Sequence, residues 1–292
     1  MKNFIAQKRE KLNKAVLRFY GDKLSYGEFM KLLRKKDISV CGKRVNFDVT
    51  VDIGDEIKVY FDESKKTAEV KPITVAFKDD NLLVAVKPAK TDIYDFESRV
   101  KDNYPSARLA HRIDTNTQGL VVFTLNDVAE KEAYRSFKSR LIKKTYLAEV
   151  YGVFSPPSGR LTDYLIKDEK RGTVKIFKTP VAGAVKIITE YETLEAGGET
   201  SLLKVDLITG KTHQIRAHLA YHGHFIIGDG KYGVNEINKK HKAKYQRLIA
   251  AEITFNFGDG SPLSYLNGKT VKTDLSVGTF PEIGDFYTKG KL

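Results

Sequence analysis

Between residues 73 and 257 the apolar residues arrive in six short runs, at 82–86, 120–124, 145–151, 185–191, 202–208 and 248–257. Turn-forming residues separate them, among them Pro156-Pro157-Ser158-Gly159, Gly197-Gly198 and Gly258-Asp259-Gly260. Only two intervening stretches have helical spacing. One opens at Asn126 or Asp127 and runs to about residue 140, with Ala129, Ala133 and Phe137 four apart. The other opens near Thr212 and carries Ile215, Leu219 and His222 on one face. Strands that outnumber helices this heavily cannot alternate with them as βαβ units. The expected fold class is α+β, with a mixed, mainly antiparallel sheet over residues 74–292.

The first sixty residues read differently. Residues 11–20 place Leu12, Val16 and Phe19 on one helical face. A second helix opens at Ser25, with Glu28 three residues on as the partner of a capping box and Leu24 and Phe29 spaced for a hydrophobic staple. It presents Phe29, Leu32 and Leu33 to a core, while Lys31, Arg34, Lys35 and Lys36 crowd its C-terminal half, where positive charge also suits the helix dipole. Alternation on both sides of Gly42 predicts a hairpin whose turn carries Lys43 and Arg44. Val49, Val51 and Ile53, the turn Gly54-Asp55 and a strand over 57–61 close a small sheet. The expected division is a domain over 1–62, a polar linker over 63–73 and the larger body over 74–292.

Charge separates the same two parts. Residues 1–44 hold 13 Lys and Arg against 4 Asp and Glu, a net of +9 out of the chain's +13. An excess confined to one end is expected of a nucleic-acid-binding module; a solvated lysine-rich surface is the plainer reading. Hydrophobic residues make up 41% of the chain, enough for packed cores, so whole-chain disorder is excluded. No apolar run approaches the ~18 residues of a membrane span, and the N-terminal residues lack the apolar core of a signal peptide. Cys41 is the single cysteine, so neither an intramolecular disulfide nor a cysteine-pair zinc site can form. The expectation is a cytoplasmic monomer with no membrane association and no metal.

Three stretches carry chemistry. In Leu109-Ala-His111-Arg112-Ile113-Asp114-Thr115-Asn116-Thr117-Gln118-Gly119, a polar loop leads into a strand, and Asp114 could simply brace that loop through backbone hydrogen bonds. Tyr146 lies in the strand-like Lys143-Lys144-Thr145-Tyr146-Leu147-Ala148, where a tyrosine usually packs. In Gly210-Lys211-Thr212-His213-Gln214-Ile215-Arg216, the arginine falls in a first helical turn, against the helix dipole, and so needs an acidic partner or an anionic ligand.

Together these stretches resemble the RluA family of RNA pseudouridine synthases. Asp114 matches the family's nucleophile motif, Tyr146 its active-site tyrosine and Arg216 the basic residue that pairs with the aspartate. Val84-Ala-Val86-Lys87-Pro88-Ala89 upstream and Gly228-Asp229-Gly230-Lys231-Tyr232-Gly233 downstream also fit, in order, so the resemblance covers about residues 75–257. Residues 10–62 resemble an S-four-type RNA-binding domain. Four positions depart from the family: Lys90 stands where Gly is usual, Gln118 for a small Ser, Lys211 for a common Arg and, conservatively, Ile113 for Leu. None removes a group presumed catalytic; the departures bear on the substrate.

The resemblance implies isomerisation of uridine to pseudouridine in ribosomal or transfer RNA. That reaction gains no atoms and needs no cofactor. An ionised carboxylate needs a positive neighbour, which Arg216 would supply to Asp114. Tyr146 would offer a face to the base and a hydroxyl near C5. Because the target must leave its stack, Arg112 would fill the vacated space or clasp a phosphate. Lys31, Arg34, Lys35, Lys36, Lys43 and Arg44 would grip the RNA backbone.

Alternative readings have specific requirements. A non-catalytic RNA-binding or ribosome-associated factor on the same fold would not need Asp114, Tyr146 and Arg216 intact. A methyltransferase would need a glycine-rich donor site ahead of a helix. Gly228–Gly233 spells a dinucleotide fingerprint, but a nearly all-polar stretch follows it instead of an apolar-periodic helix. His218, His222 and His224 lie close together, yet helix packing or phosphate contact explains them better than a metal does.

Overall fold

The structure, a computed structural model, describes residues 2–24, 26–61, 72–169 and 171–274. The chain divides into two compact units, Met1–Pro72 with Tyr94–Pro105, and Ile73–Ile93 with Ser106–Leu292.

In the first unit, a four-stranded antiparallel sheet runs in the order Lys2–Ile5, Glu56–Val59, Ile38–Val40, Lys43–Val45. Helices Leu12–Tyr20 and Tyr26–Arg34 pack on it around Leu12, Val16, Phe29, Leu33, Ile38 and Ile57. The expected hairpin turns at Cys41-Gly42, where Gly42 takes φ 77°. Phe19 corrects the reading of the first helix. The helix starts at Leu12, so the stripe of four-residue steps runs through Val16 to Tyr20, which is buried. Phe19 is 45% exposed and stacks on Phe4 at 4.2 Å. Ile53, expected in the alternation, is exposed. The proposed cap Ser25 and most of the linker lie outside the described residues.

The helix Ile93–Asn103 was not expected. From Tyr94 on, its residues belong to the first unit, although the sequence reading left them inside the larger body. Tyr94 meets Tyr26 edge-on at 5.1 Å, and Asp95 pairs with Lys31 at 2.8 Å. Gly27 is what lets the two helices approach, because a Cβ there would sit 2.8 Å from the Asp95 carboxylate.

The second unit is built on a large sheet. Its main path runs Thr173–Phe177, Ser158–Asp168, Val185–Gly197, Thr200–Leu207, Lys143–Tyr151, Leu248–Thr254, Gln118–Thr124, Leu82–Lys87, Thr74–Lys78. Among the strand pairs described, all are antiparallel except Gln118–Thr124 with Leu248–Thr254. Gly119 makes that parallel approach possible: at φ 118°, a Cβ would run into the Ala250 carbonyl. Helix Asp127–Lys138, capped by the Asn126 side chain on the Ala129 N–H at 2.9 Å, covers a core of Leu82, Val84, Leu120, Val122, Ile253 and Phe255.

The mixed, mainly antiparallel α+β architecture agrees with the sequence expectation, while several elements differ from it. Strands Thr74–Lys78, Ser158–Asp168 and Thr173–Phe177 were not foreseen. Ser158–Asp168 begins inside what reads as a Pro-Gly turn, and its charged residues Arg160, Asp163, Lys167 and Asp168 break up the apolar pattern. A short helix, Asn235–Lys240, occupies the polar stretch after Gly233. The helix expected near Thr212 starts at Gln214. Lys90 takes a left-handed backbone, φ 57°, which a glycine would adopt freely.

Candidate active site

Asp114 sits in the loop entering the strand Gln118–Thr124, and two buried side chains fix that loop. Lys87, fully buried at the end of Leu82–Lys87, spends its ammonium on the carbonyls of Pro88, Thr91 and Thr115 at 2.9–3.0 Å. Burial pulls its pKa down to about 8, and the charges of Asp114 and Asp92 oppose that fall. Thr117 accepts a hydrogen bond from Gln246 at 2.5 Å and donates its backbone N–H to the Asp114 carbonyl. The carboxylate of Asp114 therefore stands on a braced turn.

Arg216 comes to it from helix Gln214–Tyr221. Its Nη1 donates to Asp114 Oδ2 at 2.8 Å. On the other side of the guanidinium, Nε and Nη2 donate to the two oxygens of Asp229, at 2.6 and 2.9 Å. Asp229 is 1% exposed, and its carboxylate also accepts the N–H groups of Lys231 and Tyr232. Burial alone would raise the Asp229 carboxyl, but Arg216 and these N–H groups outweigh it and hold it below the usual carboxylate range. Burial likewise disfavours the Arg216 charge, and Asp229 first, then Asp114, more than restore it. The acidic partner that Arg216 requires is thus double, and sequence reasoning missed Asp229. It lies inside Gly228–Gly233, which forms a turn: the Gly228 N–H bonds Asn238 Oδ1 at 2.7 Å, and Gly228 faces the Tyr245 carbonyl too closely for any side chain.

Tyr146, on the strand Lys143–Tyr151 at a register shift, is 6% exposed and opens onto the same cleft as Asp114 and Arg216. Burial, with the Asp114 charge added, pushes its phenol well above the ordinary value, so the hydroxyl stays protonated. The cleft has a volume of about 810 Å³, and Arg112, Lys138, Arg140, Lys143, Lys144 and Lys211 ring it. Arg112 is exposed on this rim. Lys31, Arg34, Lys35, Lys36, Lys43 and Arg44 all belong to the first unit, at its helix end and hairpin. There Arg44 donates to the Lys36 carbonyl at 2.6 Å and lies over the Tyr60 ring at 4.6 Å.

His218 and His222 meet Asp163, which was not singled out in the sequence. Their Nε2 atoms lie 3.0 and 2.7 Å from one Asp163 oxygen. Asp163 and His218 are fully buried. The tautomer follows from the neighbours. Gln214 Nε2 donates to Thr189 Oγ1, whose own proton then goes to His218 Nδ1, leaving the Nε2 proton for Asp163. This network ties the helix bearing Arg216 to the strands Ser158–Asp168 and Val185–Gly197. His224 instead faces the Tyr151 carbonyl at 3.0 Å.

The family described as RNA pseudouridylate synthase matches residues 73–221 of this chain, the span that holds Asp114, Tyr146 and Arg216. The chain belongs to that family. Its RluA-type character is carried by curated relatives. A dual-specificity RNA pseudouridine synthase RluA of Yersinia pestis is 32% identical, over 67% of this chain and 94% of its own. The ribosomal large subunit pseudouridine synthase C of Rickettsia conorii is 30% identical over 87% and 92%. An uncharacterized RNA pseudouridine synthase of Mycoplasma genitalium is 33% identical over 63% of each chain, so the match spans just under two thirds of that relative. Among solved structures, human RNA pseudouridylate synthase domain containing 1 superposes with a TM-score of 0.60 at 24% identity, over 72% of this chain and 86% of that one, and shares the pseudouridine synthase fold. No helix among the described residues is long and apolar enough to cross a membrane.

Proposed function

We propose that this protein isomerises uridine to pseudouridine in structured RNA, ribosomal or transfer, with Asp114 as the acting carboxylate. The observation that carries the reading is the chain of contacts Asp229–Arg216–Asp114 at the floor of a cation-ringed cleft. It presents one carboxylate to the cleft and buries the other behind the guanidinium. Arg216 occupies Oδ2 of Asp114, which leaves Oδ1 to act on the ribose. The N1–C1′ bond breaks, the uracil turns, C5 bonds to C1′, C5 loses its proton and N1 gains one. No atom enters or leaves overall.

Tyr146 offers the base an aromatic face and a neutral hydroxyl. With its phenol held protonated, it orients rather than acting as a phenolate base. Arg112 on the rim is placed to clasp a phosphate or fill the gap left by the flipped base. The first unit, with its S-four-like order of two helices and a small basic sheet, grips the RNA backbone through Lys31, Arg34, Lys35, Lys36, Lys43 and Arg44. The names of relatives support RNA as the substrate: one is a dual-specificity RNA pseudouridine synthase, another a ribosomal large subunit pseudouridine synthase.

The test maps pseudouridines across cellular RNA with and without the gene, followed by turnover of the responding RNA by purified protein. Asp114→Asn keeps the shape and removes the charge, so it should abolish isomerisation while RNA affinity stays within a few fold. Substantial residual turnover by that variant would remove Asp114 from its role. A protein that binds RNA and changes no uridine would instead be a non-catalytic factor.

A further inference from the structure

His213 is the one residue lining the cleft with a left-handed backbone away from its basic rim, φ 53° and ψ 17°, immediately ahead of helix Gln214–Tyr221. A bulky residue held there by its surroundings points to a role for its side chain. Its ring is fixed at one nitrogen. Nδ1 lies 2.8 Å from the Tyr232 hydroxyl, and that hydroxyl also accepts the Val174 N–H at 2.9 Å. With that N–H arriving, the phenolic proton goes to Nδ1, the acceptor beside it among the described residues, and Nε2 carries the imidazole proton. Tyr232 is itself held by the Arg216 guanidinium, 5.3 Å from its ring centre. Burial keeps the His213 ring below its ordinary pKa, against the pull of Asp114, so it is neutral near pH 7.

The Nε2–H faces Asp114 Oδ2 across 4.0 Å. That gap is too long for a direct hydrogen bond and suits one bridging oxygen. Oδ2 already accepts from Arg216, so an oxygen in the gap would receive the imidazole proton and offer its own to the carboxylate. A ribose supplies such an oxygen: the 2′-hydroxyl is one bond from C2′ and two from C1′, the atoms Asp114 must reach. We infer that His213 reads the 2′-hydroxyl of the target nucleotide, donating from Nε2 to O2′ while the hydroxyl donates to Asp114 Oδ2, and so makes the site selective for a ribonucleotide over a deoxyribonucleotide. This deepens the reading of uridine isomerisation and rests on it.

The experiment is a cycle of two proteins and two substrates in the full-length chain. A short RNA that the wild type modifies is prepared with uridine or with 2′-deoxyuridine at the target, and single-turnover rates are measured. His213→Asn is the main variant, because asparagine tolerates the left-handed backbone and is too short to reach the gap. His213→Gly serves as the second variant, and thermal melting checks that both fold. Removing the hydroxyl should slow the wild type by roughly 10- to 100-fold. In either variant that penalty should shrink at least about fivefold, since one of the hydroxyl's two bonds is gone. Changes of sugar pucker burden both proteins equally and cancel. An undiminished penalty in the folded variants overturns the assignment, as does a wild type indifferent to the hydroxyl. A wild type that modifies no RNA instead removes the isomerase reading, and this inference falls with it.

Discussion

Asp229 grips Arg216 with two parallel hydrogen bonds and leaves the third nitrogen of the guanidinium to Asp114. The fork-on-fork pairing fixes both the plane and the position of the arginine, which a single contact would not. Asp229→Asn would replace one of the paired oxygens with an amide nitrogen that repels the guanidinium. Isomerisation should fall by roughly 100-fold through the displaced Arg216, and stability by about 3 kcal/mol for a weakened buried ion pair. Turnover of a modified RNA and urea unfolding at pH 7 measure the two. Wild-type rates in this variant would mean that Asp114 alone positions the arginine.

Arg216→Ala strands two carboxylates, and the more deeply buried is Asp229. The loss of stability should reach about 3–5 kcal/mol, with turnover close to background. Arg216→Lys restores a point charge without the planar fork, so it should fold better than the alanine variant and recover only part of the activity. Equal rates for the lysine variant and the wild type would deny the fork any role.

His111 links the active-site loop to acid stability. Its Nε2 accepts the Val122 N–H at 3.2 Å, and Phe137 packs against the ring at 4.8 Å. Burial, reinforced by the Lys144 charge, pulls its pKa down to about 3. The unfolded chain takes up a proton near pH 6.5 that the folded chain refuses. The contribution to stability is therefore complete above about pH 6.5 and erodes as pH falls towards 3, by at most ~1.4 kcal/mol per pH unit. In His111→Gln, which cannot titrate, the fall between pH 6 and 4 should be shallower. Denaturant unfolding across that range decides it; parallel curves would place the titration elsewhere.

Reversing Arg34, Lys35 and Lys36 to Glu should weaken RNA binding and flatten the log–log salt dependence by roughly 0.7–0.9 for each phosphate that is no longer neutralised. The saturated rate on a short RNA that fills only the cleft should barely change. Charge reversal is a cleaner probe than deleting the N-terminal residues, because deletion would strip the helix Ile93–Asn103 of its partners Tyr26 and Lys31. Equal affinities and equal salt slopes would leave the basic segment a solubility device.

That Asp114, Tyr146 and Arg216 line one cleft was legible through the family resemblance, carried by contiguous runs in a readable order; residue types alone left Asp114 a loop brace and Tyr146 a packing residue. The need of Arg216 for an acidic partner was legible from the helix dipole alone. The resemblance supplied one partner, Asp114; the second, Asp229, went unread because it stands in a glycine pattern that suggests a different ligand. Asp163 reaches His218 from 55 residues away, on a strand whose alternation is masked by charged residues and a preceding Pro-Gly turn. The helix Ile93–Asn103 had a usable signal in Ile93, Phe96 and Val100, which fall at helical spacing and are all buried. Its charged residues hid that stripe.

The path of the chain through that helix bears on how the protein is made. The first unit is not finished when residue 61 leaves the ribosome. It lacks Tyr94–Pro105 until the strands Thr74–Lys78 and Leu82–Lys87 have already emerged. The helix can dock only by closing a loop that contains the opening hairpin of the other unit, so the two cores are interleaved during synthesis. A graft of the basic module onto another protein should likewise carry its distant helix with it, for a cut at residue 62 or 72 would transplant a domain with one wall missing.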